Sequence, residues 1–177
     1  MLRYLKDRDY LFVDGYNIIN SWEIFKDTMK VDLEKARIEL IDLMIEYAHV
    51  TDQELILVYD AYRVKKSPGK VYKVGGIYVV FTKELETADH FIEKELDKIG
   101  RVRRVRVATS DKIEQQIILQ RGGSRISAME LYAEVEAERN KIERKSKDIT
   151  SDSKNHIGAL DDSLKEQLVE LKDNLKE

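Results

Sequence analysis

Four short apolar runs stand apart along the chain: YLFVD at 10–14, LILVYD at 55–60, IYVVFT at 77–82 and RVRVAT at 104–109. All are rich in Val, Ile, Tyr and Phe, as buried strands are. Between the first two, Leu33, Ala36, Ile38, Leu40, Ile41, Met44, Ile45 and Ala48 recur at near-helical spacing over 32–49, and Phe91, Ile92, Leu96 and Ile99 do so over 87–99. Strands alternating with helices predict an α/β fold, a parallel sheet with helices on both faces. A short helix is expected from Ser110, a break at Arg121-Gly122-Gly123, and then a long charged helix to about residue 147. Its start is marked by Ser127-Ala-Met-Glu130, a capping box in which Ser and Glu satisfy each other's backbone N–H. The stretch 148–160, DITSDSKNHIGAL, reads as polar and irregular, and Leu164, Leu168, Leu171 and Leu175 mark a C-terminal amphipathic helix. The expected organisation is one domain over 1–147, then a polar linker and helix over 148–177.

Composition narrows the function. A chain of 177 residues suits one domain with a sizeable core. It has no cysteine, which excludes disulfides, a thiol nucleophile and Cys-ligated zinc. No apolar stretch approaches the roughly 20 residues of a membrane helix, and charges interrupt the N-terminal MLRYLKDRDY, so a cytoplasmic protein without membrane contact is expected. The net charge of −3 offers no global attraction to nucleic acid, so any such binding must come from local patches.

The acids carry the candidate chemistry. Asp14 ends the first strand, Asp60 ends the second, Asp111 follows the fourth, and Asp89 opens the helix after the third. In a parallel sheet all four fall at the carboxyl edge of the strands, where open α/β folds bind ligands. Taken singly, each Asp is explained as a turn former or helix cap. Gathered at one edge, they repel one another unless a cation or shared protons offset the charge. Oxygen donors without His or Cys favour Mg2+ or Mn2+, which can activate water for phosphodiester cleavage. The histidines add little: His49 ends a helix, His156 lies in the polar tail, and His90 reads as a helix-surface residue.

The motifs VDGYNII (13–19), VYDAY (58–62), FTKELETADHFIEKEL (81–96), VATSD (107–111) and ISAMEL (126–131) resemble the NYN domain in its bacterial YacP-like branch, over about residues 10–147. NYN domains are related to PIN domains, so the resemblance implies a PIN-like three-layer sandwich with a central, mostly parallel sheet, here with a C-terminal helical extension. It also implies a Mg2+- or Mn2+-dependent endoribonuclease. The branch includes a ribosome-associated enzyme acting on messenger RNA, which makes single-stranded mRNA the implied substrate and the ribosome an implied partner. By motif, Asp14, Asn17, Asp89 and Asp111 match the family's acidic-polar pocket. Asp60 joins them from its place at a strand end.

The segment RVKKSPGKVYKVGG (63–76) carries Arg63, Lys65, Lys66, Lys70 and Lys73 and no acid. It reads as a flexible basic loop able to hold phosphates, with Tyr62 or Tyr72 available to stack on a base. Arg121 and Arg125, around the Gly pair, are expected to flank the cleft, whereas Arg101, Arg103, Arg104 and Arg106 read as surface charges. Two rivals follow. A haloacid-dehalogenase-type phosphatase also begins with a strand-end Asp, but it would carry a second Asp where Tyr16 stands. An RNA- or ribosome-binding module without activity would not need all these acids.

Overall fold

A computed structural model describes residues 2–5, 7–60, 68–99, 104–111, 118 and 123–157, with side chains described as far as Arg144 apart from that of Pro68. Residues Met1–Glu138 form one compact unit and Arg139–Glu177 a second. The described elements run β1 (Tyr10–Asp14), α1 (Gly15–Ser21), a 3-10 turn (Glu23–Phe25), α2 (Lys26–Val31), α3 (Leu33–Thr51), β2 (Glu54–Tyr59), β3 (Pro68–Val74), β4 (Ile77–Lys83), α4 (Ala88–Ile99), β5 (Val105–Ala108), β6 (Ser124–Ile126) and α5 (Ala128–Ile157). The six strands lie in the order β3-β4-β2-β1-β5-β6. All neighbours pair in parallel except β3, which runs antiparallel to β4.

β1 and β2, in the middle of the sheet, are almost continuously apolar because both faces are covered there. Alternate residues part to opposite sides: Leu11, Val13, Leu55, Leu57 and Tyr59 join a core with α1 and α3, while Tyr10, Phe12, Ile56 and Val58 join a core with α4. Each such side chain contributes about 1.5–3 kcal/mol by leaving water. Trp22 is buried, and its Nε1 donates to the Ala128 carbonyl at 2.8 Å, tying the end of α1 to the start of α5. The capping box forms as expected, Ser127 N–H donating to Glu130 Oε2 at 2.7 Å and Glu130 N–H to Ser127 Oγ at 3.2 Å.

Two expectations are corrected. Residues 68–74, expected within a flexible loop, form the edge strand β3, joined to β4 through Gly75 and Gly76. Both glycines have positive φ, 53° and 91°, as a two-residue hairpin turn requires. Residues 148–157, expected to be irregular, continue α5. Their Ser, Asp and Asn residues are weak helix formers rather than breakers, and no Gly or Pro interrupts the chain between Gly123 and Gly158. Most of the short helix expected from Ser110 and the leucine stripe at 164–175 lie outside the described residues.

Candidate functional site

The site lies where the sheet's winding reverses. From β1 the chain crosses through α3 to β2 on one side, whereas α4 leads from β4 across to β5 on β1's other side. The carboxyl end of β1 therefore faces the crevice in which open α/β sheets bind ligands.

Asp14 is the last residue of β1 and the N-cap of α1, its Oδ1 accepting from the Asn17 N–H at 3.0 Å. Burial pushes its carboxyl up to about 6, the neighbouring charges of Asp89 and Asp60 push the same way, and hydrogen bonds from the Asn17 and Tyr16 backbone oppose them. Asp60 directly follows β2 and accepts from the Ala88 N–H, which fastens the start of α4 to the end of β2. Burial raises its carboxyl as well, against that hydrogen bond. Asp89 stands in the first turn of α4. Thr87 caps that turn, its Oγ1 accepting from the His90 N–H at 3.2 Å.

On the other side, Thr109 is fully buried and its Oγ1 accepts from the Asp111 N–H at 3.1 Å. Asn17 Oδ1 accepts from the Ser110 N–H at 2.8 Å, and Ser21 Oγ donates to the Asn17 carbonyl at 2.7 Å. Asn17 thus joins α1 to the segment that carries Asp111. Thr109, Ser110 and Ser21 were not singled out from the sequence, although the ATSD stretch and the four-residue spacing of Asn17 and Ser21 carried the signal.

Gly15 supports this edge through packing. A Cβ there would lie 2.3 Å from Tyr59 Cε1, so the glycine admits the Tyr59 ring against the start of α1. Tyr16, in the place of a second phosphatase aspartate, sets its ring edge-on to Tyr59 with centroids 5.2 Å apart.

Of the basic residues, Lys70 and Lys73 are exposed on β3. Lys70 lies opposite Phe81, near the carboxyl end of β4, whereas Lys73 lies opposite Tyr78, near its start, with Nζ 5.2 Å from that ring. Arg125 is exposed on β6. Arg63, Lys65, Lys66 and Arg121 lie outside the described residues. Arg106, read as a surface charge, instead joins Glu134 of α5 at 2.7 Å, and Glu134 also accepts from Tyr47 Oη at 2.7 Å. Among the described residues no group of three or more His, Asp or Glu is gathered closely enough to hold a metal ion as it stands, and no helix is long and apolar enough to cross a membrane.

Comparison with known proteins agrees with this architecture. The model of the YacP-like NYN domain matches residues 11–173. The "Uncharacterized protein YacP" of Bacillus subtilis (strain 168) is 43% identical over 145 residues, covering 81% of this chain and 85% of its own. Two crystal structures of Rae1 (YacP) from Bacillus subtilis are similar. One, of a point mutant, has a TM-score of 0.70 and 41% identity over 81% of this chain and 84% of that one. The other has a TM-score of 0.69 and 36% identity over 95% and 94%.

Proposed function

The chain belongs to the YacP-like NYN domain family, whose PIN-like relatives are ribonucleases, and we propose that it cuts single-stranded RNA, with messenger RNA as its substrate and Mg2+ or Mn2+ as its cofactor. It is an RNA-cleaving enzyme, and the observation that carries the metal reading is the penalty on a charged Asp14 carboxyl, buried beside Asp60 and Asp89 at the carboxyl edge. Burial and the charges of Asp60 and Asp89 hold the Asp14 carboxyl up at about 6. A divalent cation removes that penalty, and an all-oxygen donor set suits a hard ion.

The residues fit such an ion even without a closed cage, because Mg2+ usually keeps several waters and takes only one or two carboxylates besides phosphate oxygens. Asp14 would hold it with Asp60 or Asp89, the other of these and Asp111 being the remaining acids of the edge. When bound, it supplies an activated water and offsets charge developing at the phosphate. The chain's own residues do the rest. Asn17 holds the Asp111 segment against α1, Asp60 anchors α4, and Lys70 draws the strand's phosphates toward the edge. Arg63, Lys65, Lys66, Arg121 and Arg125 are the further RNA-contacting cations of this reading.

We place the enzyme in the cytoplasm, with the ribosome as a partner, and assign the nuclease to residues 1–147. Among the described residues, every member of the two core clusters lies at or before Val135, which supports that boundary.

The test is incubation with a labelled single-stranded RNA, with Mn2+ and with EDTA, beside Asp14→Asn protein. Cleavage that needs the ion and is lost in the variant is expected. Cleavage unaffected by either would remove the acidic edge from the chemistry.

A further inference from the structure

An aromatic row crosses one face of the sheet from the acidic edge to the outermost strand. Tyr16, two residues beyond Asp14, meets Tyr59 edge-on at 5.2 Å; Tyr59 stacks on Phe81 at 5.5 Å; and Phe81 meets Tyr72 of β3 at 6.1 Å with ring planes 83° apart. Tyr59 is fully buried beneath the row, Tyr16 and Phe81 are half-buried, and Tyr72 is 45% exposed. Lys70 faces Phe81 across the hairpin and Tyr72 faces Val79. Cross-strand partners share a face of the sheet, and so do residues two apart along a strand. Lys70 and Tyr72 therefore lie on the same side as the row. The whole hairpin 68–83 contains Lys70, Lys73 and Lys83 and no acid.

Tyr72 presents ring surface beside Lys70, on the face that leads back to Tyr16 two residues beyond Asp14, and so meets both needs of a single-stranded nucleic acid, a stacking surface and neutralised phosphates. We infer that Tyr72, backed by Phe81, is a base-stacking platform for a nucleotide of single-stranded RNA lying away from the cleavage point, with Lys70 on the adjoining phosphate. The inference rests on the RNA-cleaving reading and adds a subsite to it. Stacking tolerates every base, so this platform contributes to affinity and placement without reading sequence.

The test uses the full chain and a fluorescein-labelled single-stranded RNA in EDTA, so that binding is read without cleavage. Tyr72→Leu keeps bulk and apolarity but loses the π-face, while Tyr72→Phe keeps the ring. Tyr72→Leu should bind about 5- to 100-fold more weakly, and Tyr72→Phe within about twofold of the parent. In Mn2+, Tyr72→Leu should show a raised KM with kcat retained. An otherwise identical oligomer of abasic nucleotides should bind the parent and Tyr72→Leu alike. Parent-like binding by a folded Tyr72→Leu protein, or equal loss in Tyr72→Phe, overturns the platform. Separate controls keep the two readings apart. If the parent cleaves RNA and Asp14→Asn does not, a normal Tyr72→Leu result removes the platform alone. If the parent neither binds nor cleaves RNA, both fall together.

Discussion

Asn17 Oδ1 accepts the backbone N–H of Ser110 at 2.8 Å, a bond between residues 93 positions apart that joins α1 to the segment after β5. Its own N–H donates to Asp14 Oδ1, so one side chain and one backbone group of Asn17 link both strands that border the crevice. Asn17→Ala keeps the N–H but removes the acceptor. The expected cost is about 1 kcal/mol, a fall of roughly 2–4 °C in Tm, together with a larger loss of cleavage because the Asp111 segment is released. Asn17→Asp keeps an acceptor and should hold Tm closer to the parent in Mn2+ than in EDTA. Thermal melts and initial rates on all three proteins check this, and an Asn17→Ala variant with parental Tm and rate would deny the bond its role.

Asp14 makes the stability of the metal-free protein depend on pH in a particular direction. Its carboxyl moves from an ordinary 3.8 to about 6 on folding, so the native state binds its proton more tightly than the unfolded chain does. Stability from this group is complete below the unfolded value of 3.8, falls as pH rises, and is fully lost above about 6. The loss is at most about 3 kcal/mol, less whatever remaining solvent contact restores. Asp14→Asn removes the charge and retains a good N-cap, so in EDTA it should match the parent near pH 4 and exceed it at pH 7.5. Mn2+ should stabilise the parent at pH 7.5 and the variant far less. Melts at both pH values, with and without Mn2+, separate this from an Asp that only caps α1, which predicts a variant close to the parent at every pH and an undiminished response to Mn2+.

What the sequence disclosed follows from where its signals are strongest. β1 and β2 are buried on both faces and β4 and β5 largely so, which leaves runs dominated by apolar residues, so they were legible, and their order placed the strand-end acids at one edge. β3 is an edge strand with one open side, so it tolerates Lys70, Lys73 and the only proline at its first residue, which together resemble a loop. β6 spans three residues, too few for a period. α1 is two turns long and starts directly at Asp14, so its few apolar residues show no clear repeat. The Asn17–Ser110 bond is tertiary, and no local pattern encodes it.

The antiparallel course of β3 separates two lysines that the sequence groups together. Lys70 lies toward the carboxyl end of β4 on the side of Phe81, while Lys73 alternates to the opposite face and lies toward the other end. A strand led along the aromatic row to Asp14 passes Lys70 and misses Lys73. Lys70→Ala should therefore weaken RNA binding and reduce the salt dependence, log K against log salt, by about 0.7, the contribution of one phosphate contact to a single strand. Lys73→Ala should leave the slope unchanged. Titrations of a labelled single-stranded RNA in EDTA across a range of salt concentrations measure both, and equal slopes for the two variants would show that the strand does not follow this face.

Gly15 offers a test of how far the edge depends on packing beneath it. A methyl group there would sit 2.3 Å from Tyr59 Cε1 and 2.6 Å from Cδ1. The ring has little room to retreat, since it is fully buried, stacks on Phe81 at 5.5 Å, and has its Oη donating to the Arg37 carbonyl at 3.3 Å. Gly15→Ala should therefore cost about 1–3 kcal/mol, even though alanine at a helix start is otherwise favourable. The strain has one partner, which a double-mutant cycle exposes. Tyr59→Leu removes the clashing ring atoms, so adding Gly15→Ala to it should cost much less than in the parent, a coupling of about 1 kcal/mol or more. Because Gly15 directly follows Asp14 and stands two residues before Asn17, displacing α1 should also lower cleavage by Gly15→Ala protein more than its loss of stability accounts for, at a temperature where it remains folded. Denaturant unfolding of the four proteins gives the coupling, and additive costs across the cycle would show that Gly15 is needed for some reason other than the Tyr59 ring.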